Sequence, residues 1–245
     1  MSPELAQQPT ARMLHPTLLY QTDLAREPIT PERALVLERL SDRPRVLEIG
    51  AASGFFTREL LTRGHEVTAY EADPRAVERA QVAGLPVRLG DAEDLSLWRG
   101  LEGQFDAVLF MHVLEHLVDP WAVLRAAGRA LVRGGTVVAL LPNVGAWRIR
   151  KDLFLGGRFE YEDTGILDRT HLRFFTLPSG VRLLEDAGFQ RVAATPTDIC
   201  VPFERRLRIQ LRAHRLAAWW TRFCVARFPN LCTEIFLVTG DAPGS

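Results

Sequence analysis

Residues 45–54 read RVLEIGAASG, in which a short apolar run leads directly into a turn of small residues. The length and composition of the apolar run predict a buried strand. Small residues at positions 50, 52 and 54 allow the backbone to turn sharply and let a ligand lie against it. The next residues, FFTRELLTRG, carry apolar side chains at helical spacing and end at Gly64. The segment therefore predicts a strand, a tight turn and a helix.

Strands and helices alternate along most of the chain. Further strands are predicted at residues 66–71, 86–90, 105–111, 136–142, 191–199 and 233–240. Helices are predicted at residues 31–40, 74–84, 120–135 and 178–189. Strands that alternate with helices of this length are typical of βαβ units and a parallel sheet. We therefore expect a Rossmann-like α/β fold, doubly wound around a seven-stranded sheet that is mostly parallel and has an antiparallel last strand.

Three parts of the chain do not follow this alternation. Residues 1–44 are predicted to form an N-terminal helical lead-in. Residues 143–177 connect the fifth strand to the next helix without strong secondary-structure signals, and a connection of this length is often a functional lid. Residues 201–230 are rich in arginine and are predicted to form a helical insert. The main domain is expected to comprise residues 45–200 and 231–240.

Composition narrows the class of protein. The 245 residues contain 30 basic and 30 acidic side chains, so the total charge does not demand nucleic acid or a membrane as partner. Cys200, Cys224 and Cys232 lack CxxC spacing, which argues against a disulfide scaffold or a zinc site. The N-terminus does not read as a signal peptide, and no apolar run approaches the roughly 20 residues that span a bilayer. We expect a cytoplasmic protein.

The turn after the first strand differs from two common phosphate-binding loops. A dinucleotide fingerprint that starts at Gly50 would need glycine where the chain has Ala52 and Phe55. No G-K-[ST] follows, as a P-loop would require. These differences leave a loop for a nucleoside ligand without a pyrophosphate, or a plain glycine turn without a ligand.

Two acidic residues follow the next two strands. Glu71 ends the second strand, and its carboxylate can accept two hydrogen bonds from a ribose diol. Asp91 follows the third strand, where it can accept a hydrogen bond from the exocyclic amine of adenine. Each acid alone could be a surface residue at a strand end. Ligands of open α/β sheets bind beyond the carboxyl ends of the strands, so the three signals together favour a nucleoside site.

These motifs together resemble the class I S-adenosylmethionine-dependent methyltransferases, a family that includes ubiquinone-pathway and glycan-linked O-methyltransferases. The resemblance covers roughly residues 40–195 and is carried by VLEIGAASG, YEAD, GDAEDL, FDAVLFMHVLEHLVDP, LVRGGTVVALLPN and LDRTHLRFFT. It implies S-adenosyl-L-methionine as the cofactor. One departure is Ala52, where many members have glycine, and this small change should not abolish binding.

The resemblance also implies which residues contact the cofactor. They are Glu48, Gly50, Ala51, Ala52 and Gly54 at the methionine moiety, Glu71 and Ala72 at the ribose, Asp91 and Ala92 at the adenine, and Met111 at the end of the fourth strand.

The segment after the fourth strand reads His112-Val113-Leu114-Glu115-His116. Its H-x-x-E-H spacing matches inverted zinc peptidases, but no long helix is predicted here to carry such a site. Some ubiquinone-pathway O-methyltransferases hold a divalent cation in this segment with acids and a histidine. Because His112 replaces one of those acids, we assign no metal ligand. His116 is our first candidate for a general base, since an imidazole can take a proton from a hydroxyl. Alternatively, His116 stabilises the turn.

Residues 143–177 supply the acceptor pocket in the resembled family. His171, within LDRTHLRFFT, is our second catalytic candidate, although it could instead fasten the lid to the body. Arg148 and Arg150 could meet a carboxylate or phosphate of the acceptor, or be solvated.

The 201–230 insert contains seven arginines. They are Arg205, Arg206, Arg208, Arg212, Arg215, Arg222 and Arg227, with Glu204 as the single acid. Apolar side chains such as Trp219 and Trp220 are interleaved with them. A basic amphipathic helix of this kind could lie on an anionic membrane, cover the active site, pack on the sheet edge or form a homodimer contact. Nucleic acid is less favoured because no recognised binding motif accompanies the basic run.

We therefore expect methyl transfer from S-adenosylmethionine to a small-molecule acceptor. By resemblance the acceptor atom is a hydroxyl oxygen of a sugar, lipid-linked glycan, phenol or secondary metabolite. N-methylation and a non-catalytic cofactor-binding subunit are the alternatives. An RNA methyltransferase is disfavoured by the balanced charge and the lack of an Asn-Pro-Pro-Tyr tetrad.

Overall fold

The computed structural model describes residues 29–204, 208–209 and 214–242. Its helices are α1 (Pro31–Leu40), α2 (Phe55–Thr62), α3 (Pro74–Val82), α4 (Pro120–Ala130), α5 (Trp147–Gly156), α6 (Leu177–Asp186) and α7 (His214–Arg227). Its strands are β1 (Arg45–Ile49), β2 (Glu66–Glu71), β3 (Val87–Leu89), β4 (Phe105–Met111), β5 (Leu131–Pro142), β6 (Gln190–Ile199) and β7 (Thr233–Asp241). Short 3-10 turns cover Leu95–Trp98 and Leu114–His116.

The strands form one seven-stranded sheet in the order β3-β2-β1-β4-β5-β7-β6. Neighbouring strands from β3 to β5 are parallel, whereas β7 is antiparallel to both β5 and β6. The chain moves outward from β1 to β3 and then returns to place β4 on the other side of β1. The predicted Rossmann-like fold with an antiparallel last strand is confirmed.

Helices cover both faces of the sheet, so the central strand β4 is buried on both sides. Val108 and Phe110 pack with α4 and α6 on one face, in a cluster that includes Leu124 and Leu184. The alternate residues of β4 pack on the opposite face with α1 and α2. Strands buried on both faces need continuous apolar runs, which explains the five consecutive apolar residues AVLFM at 107–111.

The helix predicted over 120–135 ends earlier, at Ala130. The backbone N–H groups of Gly103 and Gln104 donate to the carbonyls of Arg129 and Ala130. These carbonyls therefore have hydrogen-bond partners without a further turn of the helix. Leu131 already pairs with Phe105 as the first residue of β5. The prediction was wrong at this boundary because partners distant in sequence ended the helix.

Residues 143–177 contain a helix, α5, that the sequence did not indicate. Ile149 is the residue of α5 that is buried. A helix with so narrow an apolar side lacks the repeating pattern that identifies helices in a sequence. The helix ends at Gly156, and the residue that caps it, Gly157, has a left-handed φ of 61° that suits glycine.

Several sequence-based expectations fall partly outside the described residues. Residues 1–28 of the lead-in lie outside them, and so do Arg205, Arg206 and Arg212 of the insert. α7 is the helical part of the insert that the structure describes. In the described part of the chain, every helix is too short or too polar to cross a membrane.

Candidate active site

The turn between β1 and α2 is held against the end of β2. The backbone N–H groups of Gly50 and Ala51 both donate to the carbonyl of Tyr70, at 2.8 and 3.1 Å. Gly50 has a φ of 77°, and a Cβ on this residue would lie 2.4 Å from Val113 Cγ2. The backbone therefore needs glycine here, both for its conformation and for the close approach of the segment after β4.

Glu71 joins this turn to the end of β2. Its Oε2 accepts from the Ala52 N–H and its Oε1 from the Asp73 N–H, both at 2.8 Å. Each carboxylate oxygen has two lone pairs, so each can accept one further hydrogen bond. Glu71, the expected ribose contact, thus also holds the turn. Ala72, next to it, is exposed.

Glu48 is buried at the end of β1. Thr57 of α2 donates from Oγ1 to Glu48 Oε2 at 2.6 Å, so the acid ties the strand to the helix that follows the turn. Burial raises the pKa of Glu48 to about 7; the hydrogen bond from Thr57 opposes the rise, and the charge of Glu71 adds to it. Thr57 was not among the residues expected at the site.

Two details of the turn were not foreseen. Ser53 is buried, and among the described residues no group hydrogen-bonds its Oγ. A buried hydroxyl without a partner is a candidate contact for a bound ligand. Ala52 has a left-handed φ of 49°. This conformation explains why glycine is common at this position in the resembled family.

Asp91 and Ala92 lie after β3, beside the same edge of the sheet. Asp91 Oδ1 accepts from the Glu93 N–H at 2.9 Å. Ala92 is buried, and its carbonyl accepts from Trp98 Nε1 at 2.9 Å. Gly90 before them donates its N–H to the Glu71 carbonyl, which joins this loop to the end of β2. The carboxyl ends of β1, β2 and β3 therefore bring the expected cofactor residues to one edge.

The end of β4 contributes Met111 and the turn that follows it. Met111 pairs with Leu140 of β5 and is partly buried. His112 has a left-handed φ of 56°, and its Nδ1 lies 3.4 Å from Glu115 Oε1. The strained backbone at His112 redirects the chain into the 3-10 turn Leu114–His116.

Glu115 is fully buried in this turn. Its carbonyl accepts from the N–H groups of Leu172 and Arg173, which connects the turn to the 143–177 segment. In the described part of the chain, no donor group has the geometry of a hydrogen bond to either carboxylate oxygen of Glu115. Burial opposes ionisation of this acid, but contact with His112 and the charges of His112 and His116 outweigh it, so the pKa of Glu115 lies below its ordinary value.

His116 and His171 meet although they come from segments far apart in sequence. Their ring centroids are 4.8 Å apart and the rings are arranged edge to face. His171 is buried, and its Nδ1 lies 3.0 Å from the Ile166 carbonyl. Because a carbonyl can only accept, this Nδ1 carries a proton, and in the neutral ring the lone pair is on Nε2.

The tautomer of His116 follows from its contacts with Thr170. His116 Nδ1 lies 3.1 Å from Thr170 Oγ1 and 3.3 Å from the Thr170 carbonyl. Thr170 Oγ1 donates to Asp168 Oδ1 at 2.7 Å, so its oxygen accepts from His116 Nδ1–H. In neutral His116 the lone pair is therefore also on Nε2, which is the form able to receive a proton.

The same cluster has the geometry for a metal ion. Glu115, His116 and His171 each offer a ligand atom, and these atoms lie within 4.8 Å of one another. No metal ligand was predicted from the sequence, because His112 stands where related enzymes have an acid. His171, which lies far away in the chain, is the third member of this cluster.

Arg148 and Arg150, for which an acceptor contact or a solvated position were the alternatives, both have partners within the protein. Arg148 lies 3.1 Å from Glu162 and 3.8 Å from Glu234. Arg150 donates from Nε to the Gly145 carbonyl. Both side chains fasten the 143–177 segment.

Aromatic rings extend from the histidines into the 143–177 segment. The ring centroids of His171 and Phe174 are 6.2 Å apart, and Phe159 and Tyr161 lie 5.5 and 6.2 Å from Phe174. Phe159 and Tyr161 are exposed. The histidine pair is thus continuous with an aromatic surface.

The chain matches a known protein family and several curated relatives. Residues 20–194 match a family described as a methyltransferase domain. A ubiquinone biosynthesis O-methyltransferase of Xanthomonas oryzae pv. oryzae is 37% identical over 97 residues, which cover 37% of this chain and 40% of the relative. Another, of Xanthomonas axonopodis pv. citri, is 32% identical over 127 residues, covering 47% of this chain and 52% of the relative. These matches therefore span about half of the curated relatives or less.

Solved structures share the fold. A SAM-dependent methyltransferase from Archaeoglobus fulgidus superimposes with a TM-score of 0.62 at 17% identity, over 85% of this chain and 94% of that one. Phosphoethanolamine N-methyltransferase 2 of Haemonchus contortus, solved in complex with S-adenosyl-L-methionine, gives a TM-score of 0.55 at 15% identity, over 88% of this chain and 54% of that one. At these identities the likeness concerns the fold alone.

Proposed function

We propose that the chain, which belongs to the methyltransferase-domain family, transfers the methyl group of S-adenosylmethionine to a hydroxyl group of a small molecule. S-adenosyl-L-methionine is the methyl donor of this family, and it supplies an activated methyl group on a sulfonium.

We assign the donor to the carboxyl edge of β1, β2 and β3. Two observations support the fit. The Ser53 hydroxyl is buried without a partner among the described residues, and the turn at Gly50 has no room for a side chain. The remaining lone pairs of Glu71 would accept from the ribose hydroxyls, and Asp91 with Ala92 would meet the adenine. Glu48 and the backbone from Gly50 to Gly54 would hold the methionine moiety.

The observation that carries the choice of a hydroxyl is the histidine pair. A hydroxyl oxygen attacks a methyl group more readily as its proton leaves, so a neighbouring base accelerates the transfer. We assign this role to Nε2 of His116, with Nε2 of His171 as the second candidate. Thr170 and Asp168 hold His116 in the tautomer that this role requires.

The aromatic surface supports a small organic acceptor. Phe159, Tyr161 and Phe174 could pack against the apolar face of a sugar, the ring of a phenol or a secondary metabolite. A lipid-linked glycan would expose the same sugar face. A neutral amine needs no base, so a requirement for the histidines distinguishes O-methylation from N-methylation.

The test is a transfer assay with methyl-labelled donor and a panel of sugars, phenols and amines. We expect labelled product from a hydroxyl acceptor. Alanine at position 116 or 171 should lower turnover by about 10²–10⁴-fold for the residue that is the base and leave the dissociation constant of the donor unchanged. His65→Ala is the matched control, because His65 Nδ1 also contacts a backbone carbonyl, that of Arg43, but lies before β2 at the other end of the strand.

Three results would contradict the proposal. Full turnover in both histidine variants would show that neither histidine acts as a base, and that alignment of the reactants accounts for the catalysis. Transfer to amines alone would identify an N-methyltransferase. Donor binding without transfer to any acceptor would indicate a cofactor-binding subunit. The assay is also run with a chelator, because activity that is lost and then restored by a divalent cation would indicate a metal-dependent reaction, for which Glu115, His116 and His171 are the candidate ligands.

A further inference from the structure

The helix α7 has two different sides. Its inner side is anchored to the domain through Ala217 and Cys224, which are buried, and through Trp220, whose Nε1 donates to the Pro202 carbonyl at 2.8 Å. Cys224 packs in a cluster with Val201. These contacts fix the orientation of the helix, so its outer side faces away from the domain.

The outer side carries an apolar stripe. Leu216, Trp219 and Phe223 follow the i, i+3, i+7 spacing that places side chains on one face of a helix. They are 50%, 53% and 45% exposed, respectively. The rings of Trp219 and Phe223 stack at 5.6 Å with an interplanar angle of 13°. Three large side chains in one exposed row are more than the scattered apolar residues of an ordinary surface.

Arginines border this stripe. Arg215 and Arg222, seven residues apart, share one flank, and Arg227 lies one turn beyond Phe223; all three are exposed. α7 has no acidic residue. No acid in the described part of the chain forms an ion pair with any of the three. The outer side of α7 therefore combines an apolar stripe with net positive charge.

We propose that the outer side of α7 docks on the surface of an anionic lipid bilayer. Leu216, Trp219 and Phe223 would enter the boundary between headgroups and acyl chains, and the arginines would stay at the level of the lipid phosphates. Tryptophan suits this position because its ring is apolar and its N–H can reach water.

Charge favours the bilayer over a second copy of the chain. In a two-fold homodimer the same patch faces itself. That arrangement would bring the three arginines of α7 close to the same three arginines of the second copy. α7 has no acid to compensate these charges, so the two copies would repel each other. An anionic bilayer offers the opposite charge.

Docking would also orient the acceptor side of the domain. The residues directly after α7 hold the start of the 143–177 segment: the Leu231 carbonyl accepts from the Trp147 N–H at 2.7 Å, and the Asn230 carbonyl accepts from Asn143 Nδ2 at 2.8 Å. A lipid surface bound to α7 would therefore have a defined position relative to that segment. The docking itself does not depend on which acceptor is methylated.

The experiment is co-sedimentation of the full chain with vesicles of phosphatidylcholine, with and without phosphatidylglycerol. We expect binding to the anionic vesicles alone, weakened by added salt because salt screens the arginines. The triple variant Arg215→Gln, Arg222→Gln, Arg227→Gln should lower the partition coefficient by roughly fivefold per arginine. The double variant Trp219→Ala, Phe223→Ala should lower it by about tenfold or more.

The matched control is Arg125→Gln, Arg129→Gln, Arg133→Gln, which removes the same charge from exposed residues at and after α4. It should bind vesicles as the unmodified chain does. Circular dichroism checks that each variant is folded. The proposal is overturned if the unmodified chain does not bind anionic vesicles, or if the control loses as much binding as the α7 variants. It is also overturned if those variants instead abolish a homodimer seen by sedimentation velocity or binding to a single-stranded RNA.

Discussion

At the scale of the residue, Glu71 has two structural partners independent of any ligand. It accepts from the N–H groups of Ala52 and Asp73. Glu71→Ala would leave both donors without this partner and remove the proposed ribose acceptor. We expect the binding free energy of S-adenosylmethionine, measured by calorimetry, to fall by about 1–3 kcal/mol.

The control for this prediction is Glu66→Ala, at the exposed start of the same strand. It removes the same charge from β2 without touching the turn, so donor affinity should not change. Equal affinity in Glu71→Ala and the unmodified chain would mean that the ribose binds elsewhere.

Glu48 makes stability depend on pH. Burial raises its pKa to about 7, so the folded state favours the protonated acid. The resulting stabilisation is fully present below the pKa of the unfolded chain, about 4.3, and is lost as the pH rises through 7. Glu48→Gln keeps an acceptor for Thr57 but does not ionise. We expect its free energy of unfolding to exceed that of the unmodified chain by about 1–3 kcal/mol at pH 8 and by little at pH 5.

Urea denaturation at the two pH values, without donor, measures this difference. A matched substitution is Glu66→Gln, which removes an exposed acid and should show no such pH dependence. If Glu48→Gln had the same advantage at both pH values, ionisation of Glu48 would not be its cause.

At the scale of the element, a glycine lets α6 pack closely against β7. A Cβ on Gly180 would lie 2.5 and 2.7 Å from ring atoms of Phe236, which is fully buried. Gly180→Ala should therefore lower the free energy of unfolding by about 1–3 kcal/mol, since overpacking forces side chains or backbone to move.

Gly128 of α4 is the matched control for Gly180. A Cβ there would meet the ring of Phe189 at 3.5 Å, which is an ordinary contact. Alanine favours a helix over glycine, so Gly128→Ala should stabilise the chain by up to about 1 kcal/mol. Urea denaturation of both variants tests the pair, and a similar effect in the two would contradict the packing seen at Gly180.

At the scale of the whole molecule, the strand order creates the site. The chain turns back after β3 and places β4 beside β1. This brings the turn at Gly50 against Val113, in the segment that leads to His116. The 143–177 segment then returns over the same edge, where Leu172 and Arg173 donate to the Glu115 carbonyl. Cofactor residues and candidate base therefore meet through topology.

The sequence by itself determined the strands, most helices and the class of ligand. Buried strands such as β4 need apolar runs, and the turn at Gly50 needs small residues, so both leave local patterns. Glu71 and Asp91 could be predicted as cofactor residues for the same reason, because each ends or follows a recognisable strand, whereas Glu48 was predicted from the family resemblance alone.

Only the tertiary structure decided what depends on contacts between distant segments. It ended α4 at Ala130, formed α5 on a single buried residue, and brought His171 within 4.8 Å of His116. It also buried Glu115 and left the Ser53 hydroxyl without a partner among the described residues. No local pattern encodes these features, because each is a balance of burial and hydrogen bonding with residues that lie far away in the chain.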